Sequence, residues 1–204
     1  MQNHLRSKMT PEKNGNIIPF PRRGAALEVY QFRVELLMMP LPIWRSFVVP
    51  AQADFWDLHV AIQDVMGWED RHLHQFTLDD PVTGERQLVG VPDDNNYYGV
   101  NDILASWDQP IAPCFVEEGQ PALYTYDFGD DWQHSVILEA VLNDVGTEAV
   151  PRCIAGEGIC PPEDCGGVPA CESLLPLNTE EKFVPQNVVF DNPRLRWQRS
   201  FGRD

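Results

Sequence analysis

Residues 41–76 read LPIWRSFVVPAQADFWDLHVAIQDVMGWEDRHLHQF, and they decide the fold because one helix pattern lies between two strand patterns. Residues 43–49, IWRSFVV, are rich in β-branched and aromatic side chains and predict a strand. Asp54 is a suitable N-cap, apolar residues then recur at helical spacing, and Gly67 ends the predicted helix. Residues 72–79 alternate between polar and apolar side chains, which predicts a second strand.

Further strand patterns lie on both sides of this unit. Residues 28–38 alternate with a period of two and predict a hairpin partner for the strand at 43–49. Residues 122–128 and 134–142 predict two more strands, and the GDDWQ between them is typical of a hairpin turn. Beyond residue 148 the chain is rich in Cys, Pro and Gly and predicts irregular structure. We therefore expect an α+β fold, a mostly antiparallel sheet with helices packed on it in a single domain.

Charge divides the chain into three parts, although its net charge is −16. Residues 1–25 hold five basic residues and one acidic residue and predict a flexible basic arm. Residues 26–195 predict the folded domain, in which residues 26–190 carry 28 acidic and six basic side chains. Residues 196–204 predict a basic C-terminal tail. An acidic body repels phosphate backbones, which disfavours direct nucleic-acid binding by the domain and favours a protein partner.

The cellular location follows from apolar segments and cysteines. The sequence has no run of about 18 apolar residues that predicts a membrane helix, and its N-terminus lacks the pattern of a secretory signal. These features predict a cytoplasmic protein. Disulfides are rare in the cytoplasm, so the five cysteines are expected to be free or metal-bound thiols.

Four of the cysteines fall within nineteen residues: Cys153, Cys160, Cys165 and Cys171. Zinc favours thiolate and imidazole ligands, so Cys153, Cys160 and Cys165 with His134 are a candidate structural zinc site. Only the Cys160–Cys165 spacing is typical of a zinc knuckle. The alternative is a rigid loop of small buried cysteines, prolines and glycines that holds no metal.

A second candidate site lies in the predicted hairpin turn YDFGDDWQH, residues 126–134. Its three carboxylates and one imidazole suit a divalent cation with an acid–base group beside it. The candidate catalytic residues are His74, Asp127, Asp131 and His134, with Asp130 as a further ligand. The alternative is an ordinary turn whose aspartates cap backbone amides. Trp132 lies within this turn and is expected to be partly exposed.

Three blocks of the chain together resemble a known family. They are residues 41–76, residues 124–139 (YTYDFGDDWQHSVILE) and residues 151–167 (PRCIAGEGICPPEDCGG). In the same order they are similar to the plasmid pRiA4b ORF-3-like family of bacterial and plasmid- or transposon-borne proteins. The resemblance covers about residues 28–195. It implies a compact α+β fold of a sheet with packed helices and an association with mobile elements, but no established activity.

Two functions remain open on this basis. The first is a binding or accessory protein that engages a protein partner. The second is a metal-dependent hydrolase that uses Asp127, Asp130, Asp131 and His134. The sequence lacks the P-loop, the dinucleotide-binding glycine motif and the Gly-x-Ser-x-Gly motif, which removes the commonest nucleotide and esterase sites. Whether the protein is an enzyme is left open by the sequence.

Overall fold

Eight strands form a single sheet in the computed structural model, which describes residues 27–92, 103–144, 149–171 and 182–201. The strands are β1 (Leu27–Leu36), β2 (Ile43–Pro50), β3 (His74–Asp79), β4 (Arg86–Gly90), β5 (Ile103–Ala105), β6 (Pro121–Tyr126), β7 (Trp132–Asp144) and β8 (Arg152–Glu157). The helices are α1 (Phe55–Met66), α2 (Gly167–Cys171) and α3 (Pro193–Phe201), and a 3₁₀ turn spans Pro185–Asn187. The predicted arm at residues 1–25 lies outside the described residues.

The strand order is β5-β4-β3-β6-β7-β1-β2-β8, and the sheet is mixed because β4 and β5 pair in parallel. Strands account for 38% of the described residues and helices for 19%. The prediction of a mostly antiparallel sheet with helices packed on it is therefore wrong, since the sheet dominates the fold. The strands that the sequence patterns did not predict are β4, β5 and β8. They are short, alternate weakly and are paired with a neighbouring strand.

The central elements follow the sequence patterns. β1 and β2 form an antiparallel hairpin, and β6 and β7 form another. Asp54 caps α1 in a reciprocal capping box with Asp57, and Gly67 ends the helix in the left-handed conformation with φ of 81°. The main apolar core includes residues of α1 and of the sheet, where the Phe55 ring meets Phe76 at a centroid distance of 5.0 Å.

A buried arginine joins α1 to the edge of the sheet. Arg45 on β2 is 2% exposed and donates four hydrogen bonds to backbone carbonyls, those of Trp44, Val65, Glu157 and Gly158, at 2.7–3.0 Å. Val65 lies in the last turn of α1, where the helix dipole favours a positive charge. The ring of Phe183 covers the guanidinium at 3.7 Å.

The C-terminal helix α3 packs on the outer side of α1. Trp197 and Phe201 contact Trp56 with ring centroids 5.2 and 5.6 Å apart, and Arg196 forms an ion pair with Asp64. The boundary predicted between residues 195 and 196 falls within this helix. Across the part of the chain that the structure describes, no helix is long and apolar enough to cross a membrane.

Candidate metal centre

The functional candidates gather at one end of the sheet. His74 begins β3, Tyr126 ends β6 and Trp132 begins β7, and the register pairs His74 with Tyr126 and Tyr126 with Trp132. The loop at 67–73, after α1, and the loop at 158–166, after β8, meet at this end. Two distant segments are thereby brought against the β6–β7 turn.

His72, Asp127 and Asp164 form the centre of this region. The Nε2 atom of His72 lies 2.5 Å from Oδ1 of Asp164 and 3.5 Å from Oδ2 of Asp127. One ligand atom from each residue lies within 4.8 Å of the other two, the one such group of three or more His, Cys, Asp and Glu side chains in the described ranges. The side chains are 34%, 11% and 43% exposed for His72, Asp127 and Asp164, so solvent reaches the group.

Asp127 is held by its own turn. Its Oδ1 accepts hydrogen bonds from the backbone N–H of Gly129 and of Asp130, at 2.9 and 3.4 Å. Its backbone N–H donates to the carbonyl of Leu73 at 3.0 Å, next to His72. The carboxylate therefore caps the turn with one oxygen and faces His72 with the other.

Four aspartates of this region have positive backbone φ: Asp70 (61°), Asp127 (54°), Asp131 (52°) and Asp164 (61°). The left-handed conformation is unfavourable for residues with a Cβ, although Asp and Asn tolerate it better than most. Such conformations persist where the surroundings fix them, and they concentrate at functional sites. Two of the three members of the centre, Asp127 and Asp164, are in this conformation.

The loop that carries Asp164 is fixed on both sides. The indole N–H of Trp68 donates to the carbonyl of Pro161 at 2.9 Å, and the N–H of Gly166 donates to Oδ2 of Asp130 at 2.9 Å. Gly167 has φ of 73°, and a Cβ there would lie 2.5 Å from the carbonyl oxygen of Asp130. The double glycine thus permits a close approach of this loop to the β6–β7 turn.

Hydrogen bonds from His72 and Arg71 stabilise the ionised form of Asp164. Its hydrogen bond with His72 is the largest cause that lowers the pKa of the Asp164 carboxyl, and Arg71 acts in the same direction. The guanidinium of Arg71 forms ion pairs with Asp164 and Glu69 and is 55% exposed. The centre therefore brings two carboxylates and one imidazole together, the donor types that divalent metals use.

The other predicted site residues lie apart from this centre. Asp130 binds the Gly166 N–H, and the exposed carboxylate of Asp131 accepts hydrogen bonds from Gln133 at 3.0 and 3.2 Å. His134 is fully buried beside Trp68, with ring centroids 5.3 Å apart. The group of ligand atoms in the described ranges therefore combines Asp127 with His72 and Asp164, and it includes none of Asp130, Asp131 and His134.

His74 packs against a buried network of hydrogen bonds. Its ring stacks on His59 at 3.6 Å, and both rings are buried. His59 bonds to Tyr124 Oη and to Asp70 Oδ1, each at 2.8 Å, and Gln63 bonds to Tyr124 Oη and to the Asp70 N–H. This closed ring of hydrogen bonds fixes Asp70, two residues before His72.

The cysteines of the predicted zinc site fall into one disulfide-bonded cysteine and two free thiols. Cys165 forms a disulfide with Cys171, so the expectation of free or metal-bound thiols is wrong for this pair. Cys153 and Cys160 are free, and burial raises the pKa of these thiols to about 11 and about 12, with the charge of Arg45 opposing the shift. They are therefore protonated at neutral pH.

Sequence patterns missed three features of this region. Trp132 is fully buried because it lies on the inward face of β7 with His134, Val136 and Leu138, so its predicted exposure is wrong. Neither His72 nor Asp164 is among the site residues that the sequence predicts, although both belong to the group of three ligand side chains. The segments HLH, YDFGD and PPED carry His72, Asp127 and Asp164, and each lies in one of the three family blocks. That shared location is the signal that could have indicated the site, although no periodicity relates the three segments.

Comparisons with known proteins identify the family without assigning an activity. The chain is 34% identical over 139 residues to the uncharacterised protein y4hQ of Sinorhizobium fredii. The matched segment covers 68% of this chain and 67% of that protein. It is similar to the crystal structure of MM3350, a protein of unknown function from Methanosarcina mazei Go1. That match has a TM-score of 0.70 and 32% identity, and it covers 82% of this chain and 99% of the other. The family profile matches residues 28–186, and the chain therefore belongs to the plasmid pRiA4b ORF-3-like proteins.

Proposed function

We propose that the protein binds a divalent cation at His72, Asp127 and Asp164 and acts as a metal-dependent hydrolase. The observation that carries the proposal is the convergence of three ligand atoms within 4.8 Å from three separate segments of the chain. Asp127 is retained from the site that the sequence predicts in the turn. His72 and Asp164 take the place of Asp130, Asp131 and His134.

The donor set supports a cation such as Mn²⁺ or Zn²⁺, because imidazole and carboxylate ligands suit both. Ligand bonds of about 2.1 Å separate neighbouring ligand atoms by about 3 Å or slightly more. The distances of 2.5 and 3.5 Å from His72 Nε2 are close to this value. A shift of less than about 1 Å in the exposed side chain of Asp164 would therefore accommodate the ion.

The partial exposure of the three ligand side chains favours a hydrolytic role of the bound cation over a purely structural one. Three protein ligands leave positions open for water, as in catalytic sites, and a bound cation supplies a water of lowered pKa. Arg71 is 55% exposed beside Asp164 and can donate hydrogen bonds to a polar group of a substrate. The buried Asp127 keeps its orientation because two backbone amides hold its other oxygen.

We expect one Mn²⁺ or Zn²⁺ per chain by isothermal titration calorimetry of the full chain after dialysis against a chelator. Asp164→Asn should weaken the affinity by at least about 100-fold, because loss of a second-shell partner alone costs about 10- to 100-fold. Asparagine tolerates a positive φ, so the loop is expected to keep its conformation.

Asp131→Asn is the matched control, because Asp131 has the same backbone conformation and lies outside the centre. Equal affinities in the two variants, or no binding by the wild type at millimolar metal, would contradict the site. Zinc that is lost in Cys160→Ser and kept in Asp164→Asn would assign the ion to the cysteines instead.

The hydrolase part is tested with p-nitrophenyl acetate, p-nitrophenyl phosphate and bis-p-nitrophenyl phosphate. We expect release of p-nitrophenol that requires the metal and is lost in Asp164→Asn but not in Asp131→Asn. If the protein binds metal but hydrolyses none of these three substrates, the hydrolase proposal is wrong and the proposal of a metal-binding protein remains. A protein partner stays a prediction from the acidic surface and the basic ends.

A further inference from the structure

Glu163 precedes the centre's Asp164 in the chain and binds the opposite loop through its carboxylate. Its Oε2 accepts a hydrogen bond from the Glu69 N–H at 2.7 Å, and its Oε1 accepts one from the Arg71 N–H at 3.1 Å. These two amides lie on either side of Asp70, which has φ of 61°. Amides of this kind form a concave nest that binds an anion, and here the anion is a side chain of the same protein.

Tyr126 forms a second link between Glu163 and the loop at 69–72. Its hydroxyl oxygen accepts hydrogen bonds from the N–H groups of Arg71 and His72, at 2.8 and 3.2 Å. The same hydroxyl donates to Oε1 of Glu163. Burial raises the pKa of the Tyr126 phenol, with the bond to Glu163 acting in the same direction, so the group remains a donor. Trp68 stacks on the tyrosine ring at a centroid distance of 5.3 Å.

Glu163 thereby fixes the relative position of His72 and Asp164, two of the three members of the centre. The backbone of His72 is fixed through Tyr126 and the amide of the preceding residue, and Asp164 follows Glu163 directly. The distance between His72 Nε2 and Asp164 Oδ1 consequently depends on a carboxylate that lies outside the group of ligand atoms. Residues that orient ligands in this way tune metal affinity strongly.

We propose that Glu163, acting with the Tyr126 hydroxyl, is a positioning residue that preorganises His72 and Asp164 for the divalent cation. This inference rests on the proposed metal centre. Glutamine at position 163 would keep one acceptor oxygen but would present an NH₂ group to a backbone N–H. The loop at 69–72 would then lose one hydrogen bond, while all three ligand side chains would remain present.

The test is a Co²⁺ titration of the full chain, followed by visible absorption, which reports the ligand geometry. We expect Glu163→Gln to weaken Co²⁺ affinity by about 10- to 100-fold and to alter the absorption spectrum. Glu157→Gln is the matched control, because the one hydrogen bond to its carboxylate within the described residues comes from the half-buried Trp44 indole. That control should keep the wild-type affinity and spectrum.

Tyr126→Phe serves as a second variant, because it removes only the hydroxyl and keeps the buried ring. We expect about a tenfold loss of Co²⁺ affinity, with circular dichroism reporting whether each variant folds. Wild-type affinity and spectrum in either folded variant would overturn the positioning role while leaving the metal centre intact. Absence of Co²⁺ binding by the wild type would instead overturn the proposed function and this inference with it.

Discussion

Arg45→Leu is expected to lower the free energy of unfolding by about 4 kcal/mol, the largest effect of a single substitution considered for this fold. Hydrogen bonds to charged groups contribute about 1.5 to 3 kcal/mol each and are not additive. The substitution removes four of them and leaves the carbonyls of Val65 in α1, Trp44 in β2, and Glu157 and Gly158 at the end of β8 without this donor. Guanidinium chloride denaturation at pH 7 measures the change.

Arg33→Leu is the matched control on the neighbouring strand β1. Its guanidinium is 29% exposed, pairs with Glu35 and lies over the Trp44 ring at 3.8 Å. Exposed ion pairs contribute about 0 to 1 kcal/mol, so this substitution should cost less than about 1 kcal/mol. Equal costs for the two substitutions would show that the buried guanidinium does not hold α1 to β8.

Acidification is expected to destabilise the protein through His134. Burial lowers the pKa of His134 to about 4, while hydrogen bonding to the backbones of Tyr124 and Trp132 acts in the opposite direction. The unfolded chain has an imidazole pKa of about 6.5 and therefore binds a proton first as the pH falls. Stability contributed by this residue is complete above pH 6.5 and is lost towards pH 4, which amounts to about 3 kcal/mol.

Substitution of His134 by leucine should remove this part of the pH dependence. Burial outweighs the backbone contacts of His134, and neither ring nitrogen has a hydrogen bond of full geometry within the described residues, so His134→Leu should be neutral or stabilising at pH 7. Denaturation curves between pH 4 and pH 7 should show a shallower decrease for the variant. His74 adds to the remaining slope, because burial and the nearby His59 lower its pKa well below the ordinary value. An unchanged slope would contradict the assignment to His134.

The central part of the fold was predictable because its signals are local. The hairpins β1–β2 and β6–β7 follow from alternation and turn residues, and the bounds of α1 follow from Asp54 and Gly67. β4, β5 and β8 were not predictable, because short strands at or near the sheet edges depend on pairing with a neighbour more than on their own pattern. That dependence explains why the sheet is larger than the sequence indicates.

The candidate site was predictable only in part, because its members are distant in sequence. His72 and Asp164 are separated by 92 residues, and no helical or strand period relates them. Asp127 was found because the GDD turn is conspicuous, but the same signal favoured its exposed neighbour Asp131. Arg45 appears in the sequence as one residue of an apolar strand, and only its carbonyl partners reveal why a charge is buried there.

Anomalous scattering from a crystal soaked in Mn²⁺ tests the central claim most directly. We expect one peak within about 2.2 Å of Nε2 of His72, Oδ2 of Asp127 and Oδ1 of Asp164, and no peak in crystals of Asp164→Asn. A peak at the cysteines, or the direct 2.5 Å contact between His72 and Asp164 retained at millimolar Mn²⁺, would contradict it.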